Sequence, residues 1–502
     1  MSEFKLVIAG PGAGKTTNMV QEVLLKLNSL EPYKTMAVIT YTKAATFNIH
    51  QKLSELIKIP DNVFVGTIHS FLNKFIVIPH SSLVMSDIST DKFFIQMNSV
   101  DLVPTNIVGT ARRIASNALA QRLIRKGVIT FDQTLSLSEK ILRNTKACDI
   151  ISKKLKYVFI DEYQDADNKQ FNIFHELYKT NNSDIYCTGD PEQYISGFSS
   201  DVKYVNLPIF KTLQKPRVIV QINNNNFRSS QPIINFLNNF NGRSYRGNNF
   251  SQIKSSNNSS TFAVKFINYQ TIRKITGFFV KFCKQNTFEE KNLCILAKEN
   301  RLVTQIRLEI NSYRDFVKEK FQSDVEIAKN FILTVFEINQ ELFLNKKKID
   351  DLGFKVLCMK LLRNIKAGEI SNDVELLEFL TREINLQIQN RSFVKLTNIK
   401  LSNSVEESSK TIVSNIHNAK GLESKCVLCI SKTNEELTNW LNTNIAQRSE
   451  EPPKNKKNIK DFCRIGYVAF SRAEHILMIA CLENLNASNR NKLTDLNVEI
   501  ID

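Results

Sequence analysis

The chain has 502 residues, 42% hydrophobic and 23% charged, with a formal net charge of +17. Such a composition is that of an ordinary globular protein, and the length is enough for two or more domains. The excess of Lys and Arg leaves two readings open, a solvated basic surface or a polyanion partner such as DNA or RNA.

In chain order, FKLVIA at 4–9 reads as a buried parallel strand. The glycine-rich AGPGAGKTT at 9–17 follows, and then a helix with Met19, Val23, Leu24 and Leu27 on one face. MAVIT at 36–40 and FVGTIHSF at 64–71 read as further strands. From 76 to 150 the pattern turns helical, as in ARRIASNALAQRLIRKGVITF. YVFIDEYQDAD at 157–167 and IYCTGDPEQ at 185–193 are short apolar strands that break into acids. A second α/β set is expected from VIVQI at 218–222, through CILAKEN, to TIVSNIH, CVLCI and HILMIACL. Between them, FILTVFEINQELFL marks a second helical stretch. Strands alternating with helices imply doubly wound parallel sheets.

The nine cysteines show no zinc-ligand spacing. Cys426 and Cys429 lie three apart on a strand-like run and so face opposite ways. The cysteines read as reduced residues of a cytoplasmic protein. The N-terminal apolar run ends in Gly-Pro after about six residues, too short for a signal peptide. FIVI at 75–78 is far below the roughly 20 residues that span a bilayer, so no membrane insertion is expected.

The loop carries the first chemistry. Gly10, Gly12 and Gly14 permit positive φ and close approach of backbone N–H groups to an anion, and the next helix adds its positive end. Lys15 can reach terminal phosphates and Thr16 can hold Mg²⁺. Asp161 would hold the metal's water and Glu162 would act as general base. Gln193 could sense a γ-phosphate. Arg228 and Arg472 each stand where a strand or turn passes into a helix, and could stabilise charge on the phosphate.

The ordered series AGPGAGKTT, ITYTKAAT, GTIHSF, FIDEYQDAD, TGDPEQYISGF, NFRSS, IHNAKGLES and YVAFSRAEH resembles the motifs of superfamily 1A helicases of the UvrD/Rep/PcrA type. The resemblance implies an α/β chain of two RecA-like P-loop NTPase domains with parallel sheets, each carrying a mainly helical insertion. The expected boundaries are 1–75, 151–215 for the first domain around an insertion at 76–150, and 216–305, 405–502 for the second around a reduced insertion at 306–404. It implies ATP with Mg²⁺, or another NTP, and 3′-to-5′ movement on DNA. The nucleotide would meet Gly10, Gly12, Ala13, Gly14, Lys15, Thr16 and Thr17, with Phe227 stacked on the base and Glu423 on the ribose. Single-stranded DNA would meet Tyr41, Thr67, His69, Phe198 and His417.

The chain departs from the family pattern at several positions. Ser199 stands for an Arg, Ser424 for a Phe, and a single Asp461 for an acidic pair. Only eight residues precede Ala9, so the usual adenine-reading Gln is missing and relaxed nucleotide choice is expected. The compact form, with no nuclease domain after the last motif, is similar to the helicase-like subunits of Gabija antiphage systems, whose partner is an OLD-type nuclease. A stand-alone repair helicase, or a regulatory NTPase that senses single strands or DNA ends without unwinding, are the alternatives.

Overall fold

The computed structural model describes residues 2–84, 94–95, 109–124, 128–129, 131–195, 204–256, 258–310, 313–315, 324–349, 351–366, 369–399, 410–449 and 463–502. The chain divides into two compact units, one of residues 1–315 with 410–502, the other of 316–409. Among the described residues no helix is long and apolar enough to cross a membrane.

The first unit contains two parallel sheets. The first is built from β1 (Phe4–Ala9), β2 (Thr35–Thr40), β3 (Val63–Thr67), β4 (Leu155–Ile160), β5 (Asp184–Gly189) and β6 (Ile219–Asn223), in the order β3-β2-β4-β5-β1-β6. Its inner strands are near-continuous apolar runs because both faces are covered. Phe4, Leu6 and Ile8 of β1 enter one core cluster, while Val7 and Ala9 enter the other. The register sets Ile8 beside Gly189, Ile39 beside Ile160 and Thr40 beside Thr67. The chain's motif residues therefore leave the sheet along one carboxyl edge, the place where open α/β sheets hold ligands.

Two expectations change here. VIVQI does not begin the second sheet. It forms β6, paired in parallel with β1 at the edge of the first. Its alternation explains this: Val218, Val220 and Ile222 pack on the first core, while Ile219 and Gln221 are exposed. Strand β3 also stops at Thr67, whose hydroxyl accepts from Ser70 N at 3.4 Å and caps the helix Ile68–Leu72.

The second sheet comprises β7 (Lys265–Ile267), β8 (Leu293–Ala297), β9 (Tyr313–Asp315), β10 (Thr411–Asn415), β11 (Ser424–Ser431), β12 (Ala473–Cys481) and β13 (Glu499–Ile501), in the order β9-β10-β8-β11-β12-β7-β13. Cys426 packs in one core with Leu428 and Ile430, and Cys429 lies outside that core, as alternation on a strand requires.

The helices Phe131–Leu142 and Thr145–Lys154 bring Ile141, Leu142, Ala147 and Ile151 into the first sheet's core. The second unit has its own core, with Phe331, Phe343, Phe354, Leu361 and Phe379 from four helices. There FILTVFEINQELFL is helical, in two pieces. Glu337 takes φ 47° and Asn339 caps a new helix by accepting from Leu342 N at 2.9 Å.

Candidate active site

The loop after β1 has the conformation its glycines allow. Gly12 has φ +71°, and a Cβ there would stand 2.5 Å from Asn226 Oδ1 and 2.8 Å from Arg228 Cβ. Only glycine fits both demands. Gly14 caps the helix Lys15–Leu27 in the left-handed conformation, and no side chain caps that helix, which leaves its first turn for an anion. Lys15 Nζ folds back to donate to Ala9 O and Gly10 O, both at 3.3 Å. Ala13 is buried, and its carbonyl accepts from Asn223 Nδ2 at 3.1 Å. Thr17 is exposed and takes a hydrogen bond from Lys52 Nζ at 3.1 Å.

The acids arrive from β4. Asp161 is buried; its N donates to Ile39 O at 3.0 Å, and its Oδ2 accepts from Thr16 Oγ1 at 3.1 Å. That pair joins the two groups suited to Mg²⁺. Burial, then the adjacent Glu162 carboxylate, push the Asp161 carboxyl up to about 6. A hard divalent cation on a buried oxygen pair would relieve that cost, so these residues fit Mg²⁺.

Glu162 takes φ 51°, ψ 43°, a left-handed conformation costly for a non-glycine residue and one that persists where surroundings over-determine it. Its N donates to Asp161 Oδ1 at 2.9 Å, and its Oε2 accepts from Gln164 Nε2 at 2.5 Å. Burial pushes its carboxyl up, but Lys15 and Lys420 outweigh this and hold it below its ordinary value. Gln193 is buried and donates to Asp190 Oδ2 at 2.8 Å.

Residues beyond the first sheet close on this edge. Phe227 N donates to Gly12 O at 2.8 Å, and its ring is 53% exposed beside Gly14. Arg228 NH2 pairs with Glu423 Oε2 at 2.5 Å, and its NH1 donates to Ser471 O at 3.2 Å. Arg228 Nε is buried without a hydrogen-bond partner, which leaves donor capacity inside the cleft. Arg472 is buried and donates to Val468 O, Leu422 O and Ser471 Oγ at 2.9–3.1 Å. Burial and the neighbouring Arg228 lower it to about 10.

The expected DNA-facing residues take different places. Tyr41 packs on the first core and donates from its hydroxyl to Gln170 Oε1 at 3.0 Å. Thr67 caps a helix, and His69 sits half-buried in that helix. His417 lies against the Ile195 backbone, and burial lowers its imidazole despite that hydrogen bond. Tyr41 and Thr67 share the carboxyl edge of the sheet with the loop. Phe198, Ser199 and Asp461 lie outside the described residues.

Several groups escaped the motif reading. Lys420 Nζ pairs with Asp165 Oδ2, joining IHNAKGLE to IDEYQD. Gln252 is buried and donates to Pro11 O at 2.7 Å, bracing the loop from a segment without a recognisable motif. Glu192 is 1% exposed and pairs with Arg448 NH2 at 2.6 Å and Arg243 Nε at 2.5 Å. Tyr204 also donates to Glu192, at 3.0 Å. Burial pushes the Glu192 carboxyl up, but the two guanidiniums pull it down to about 2. No local pattern marks these partners, because they come from distant parts of the chain.

The UvrD/REP helicase N-terminal domain family matches residues 2–99 and 105–205. A probable DNA helicase II homolog of Rickettsia conorii is 23% identical over 341 residues, 58% of this chain and 51% of that protein. The ATP-dependent DNA helicase Rep of Buchnera aphidicola is 23% identical over 231 residues, 38% of this chain and 36% of that protein. The chain thus spans about half the length, or less, of these two relatives. The Gabija protein GajB of Bacillus cereus is 24% identical over 452 residues, 83% of this chain and 85% of that protein. Together with the two parallel sheets and the loop between β1 and its helix, these matches show that the chain is similar to UvrD/REP helicases over its first 205 residues, and to GajB over 83% of its length.

Proposed function

We propose that this chain is a DNA-stimulated, ATP-hydrolysing helicase-type motor that acts on single-stranded DNA or DNA ends. We further propose that it is the NTPase subunit of an antiphage complex with an OLD-type nuclease. The observation that carries the first reading is a convergence on one loop. Thr16 and Asp161 meet from the first sheet, while Arg228, Lys420 and Arg472 reach the same cleft from beyond it. The second reading is supported by the alignment that covers 85% of GajB.

On this reading Lys15 exchanges its two carbonyl contacts for phosphate oxygens. Thr16 and Asp161 would hold Mg²⁺, which would supply positive charge against the phosphates. Glu162 accepts the proton of the attacking water. The new P–O bond forms as the bond to the bridging oxygen breaks, giving ADP and phosphate. Gln193, Arg228 and Arg472 stabilise charge on the transferring group. Arg228 already bonds Ser471 O, so its approach ties hydrolysis to the second sheet.

ATP and GTP turnover with and without single-stranded DNA tests this, with Lys15→Ala as the inactive control. Stimulation by DNA is the expected result. Turnover indifferent to DNA overturns the motor reading. Displacement of a labelled strand separates unwinding from sensing. Co-purification with an OLD-type nuclease tests the complex.

A further inference from the structure

Gln164 stands between the two groups assigned to the water and the γ-phosphate. Its side chain is fully buried, 0% exposed, and both ends of its carboxamide are used. Nε2 donates to Glu162 Oε2 at 2.5 Å, and Oε1 accepts from Asp190 N at 3.0 Å. The backbone donor at Asp190 fixes which end is oxygen, so the other end presents N–H to the carboxylate. Asp190 continues the chain of contacts, since its Oδ2 accepts from Gln193 Nε2 at 2.8 Å and its Oδ1 from Glu192 N at 3.0 Å. Glu192 in turn is clamped by Arg243 and Arg448.

We infer that Gln164 is a positioning residue that couples the Glu162 carboxylate to the Asp190–Gln193 turn, so that base and phosphate-facing carboxamide are set by one hydrogen-bonded relay. The inference rests on the roles proposed above for Glu162 and Gln193. A plain core-filling role does not explain the geometry. A filler needs no donor aimed at a carboxylate whose backbone is already in a costly conformation. The sheet also makes room for this amide: a Cβ on Gly189 would stand 2.6 Å from Gln164 Oε1. The same Cβ would stand 3.1 Å from Gln164 N and 3.2 Å from Ile209 Cδ1, so the glycine at the end of β5 makes room for the residue as a whole.

Four variants test the relay in the full chain: Gln164→Met, Gln193→Ala, their double, and Gly189→Ala, which crowds Gln164 while leaving its carboxamide chemistry unchanged. Gln164→Met is expected to lower DNA-stimulated kcat about 10- to 100-fold, because a small misplacement of a catalytic group is that costly. The KM for ATP and the affinity for a fluorescent ATP analogue should stay within about two-fold, since no phosphate contact is removed. The double variant should fall no further than the worse single, because both break the same relay. Gly189→Ala should reproduce the kcat loss, and it decides the matter if Gln164→Met does not fold. A kcat within two-fold of wild type in either variant, or losses that multiply in the double, overturns the relay. Glu162→Gln run in parallel separates the two levels. If it keeps wild-type turnover, the base assignment fails; if it is inactive while Gln164→Met is not, only the relay fails.

Discussion

At the scale of single residues, the site is a set of buried charges, each held by several neighbours. Glu192 shows the consequence most clearly. Its carboxyl falls from 4.5 in the unfolded range to about 2 in the folded protein. A depressed folded value means its stabilisation is complete above about pH 4.5 and fades as pH falls towards 2. The shift corresponds to about 3 kcal/mol at neutral pH. Glu192→Gln leaves the buried Arg448 guanidinium and the partly buried Arg243 guanidinium without their carboxylate, which costs about 3–5 kcal/mol. Urea unfolding at pH 6 and pH 3 should therefore show a large gap between wild type and variant at pH 6 that narrows at pH 3. A gap that does not change with pH would mean that the carboxylate is not the source of the stability.

At the scale of elements, capping and alternation decided where the chain turned. The helix Asn168–Lys179 starts with a full capping box, Asp167 accepting from Gln170 N at 2.8 Å and Gln170 Oε1 from Asp167 N at 3.2 Å. The same Gln170 anchors Tyr41. Asp167→Ala should cost about 1 kcal/mol of unfolding free energy while turnover without DNA stays near wild type. No loss of stability in denaturant titration would show that the cap contributes nothing. The same forces set the boundaries of other elements. Thr67 could continue a strand or cap a helix, and its hydroxyl caps. Asn339 split an apolar run into two helices for the same reason.

At the scale of the molecule, the cleft is joined by ion pairs that tie distant motifs. Lys420 is half-enclosed between Asp165 and Glu162, and those acids, outweighing burial, raise its ammonium above the ordinary value. Lys420→Met should reduce DNA-stimulated turnover about 10- to 100-fold, since it removes a fixed positive charge beside Glu162, the base proposed above. Nucleotide binding, read by a fluorescent analogue, should change far less. Turnover within two-fold of wild type would remove Lys420 from the coupling between the two halves.

The sequence by itself determined the loop, the acids behind β4 and the parallel α/β layering. Gly12, Lys15, Thr16, Asp161 and Glu162 are contiguous with strands whose apolar runs announce them, so local pattern is enough to place them. Tertiary structure alone decided which strand closes the first sheet, because edge pairing of β6 with β1 depends on a partner some 210 residues away. It also decided the clamps on the site: Gln252 under the loop, Gln164 against Glu162, and two arginines on Glu192. A buried polar group must be satisfied, but the chain has many donors, and only folding selects which one stands within 3 Å.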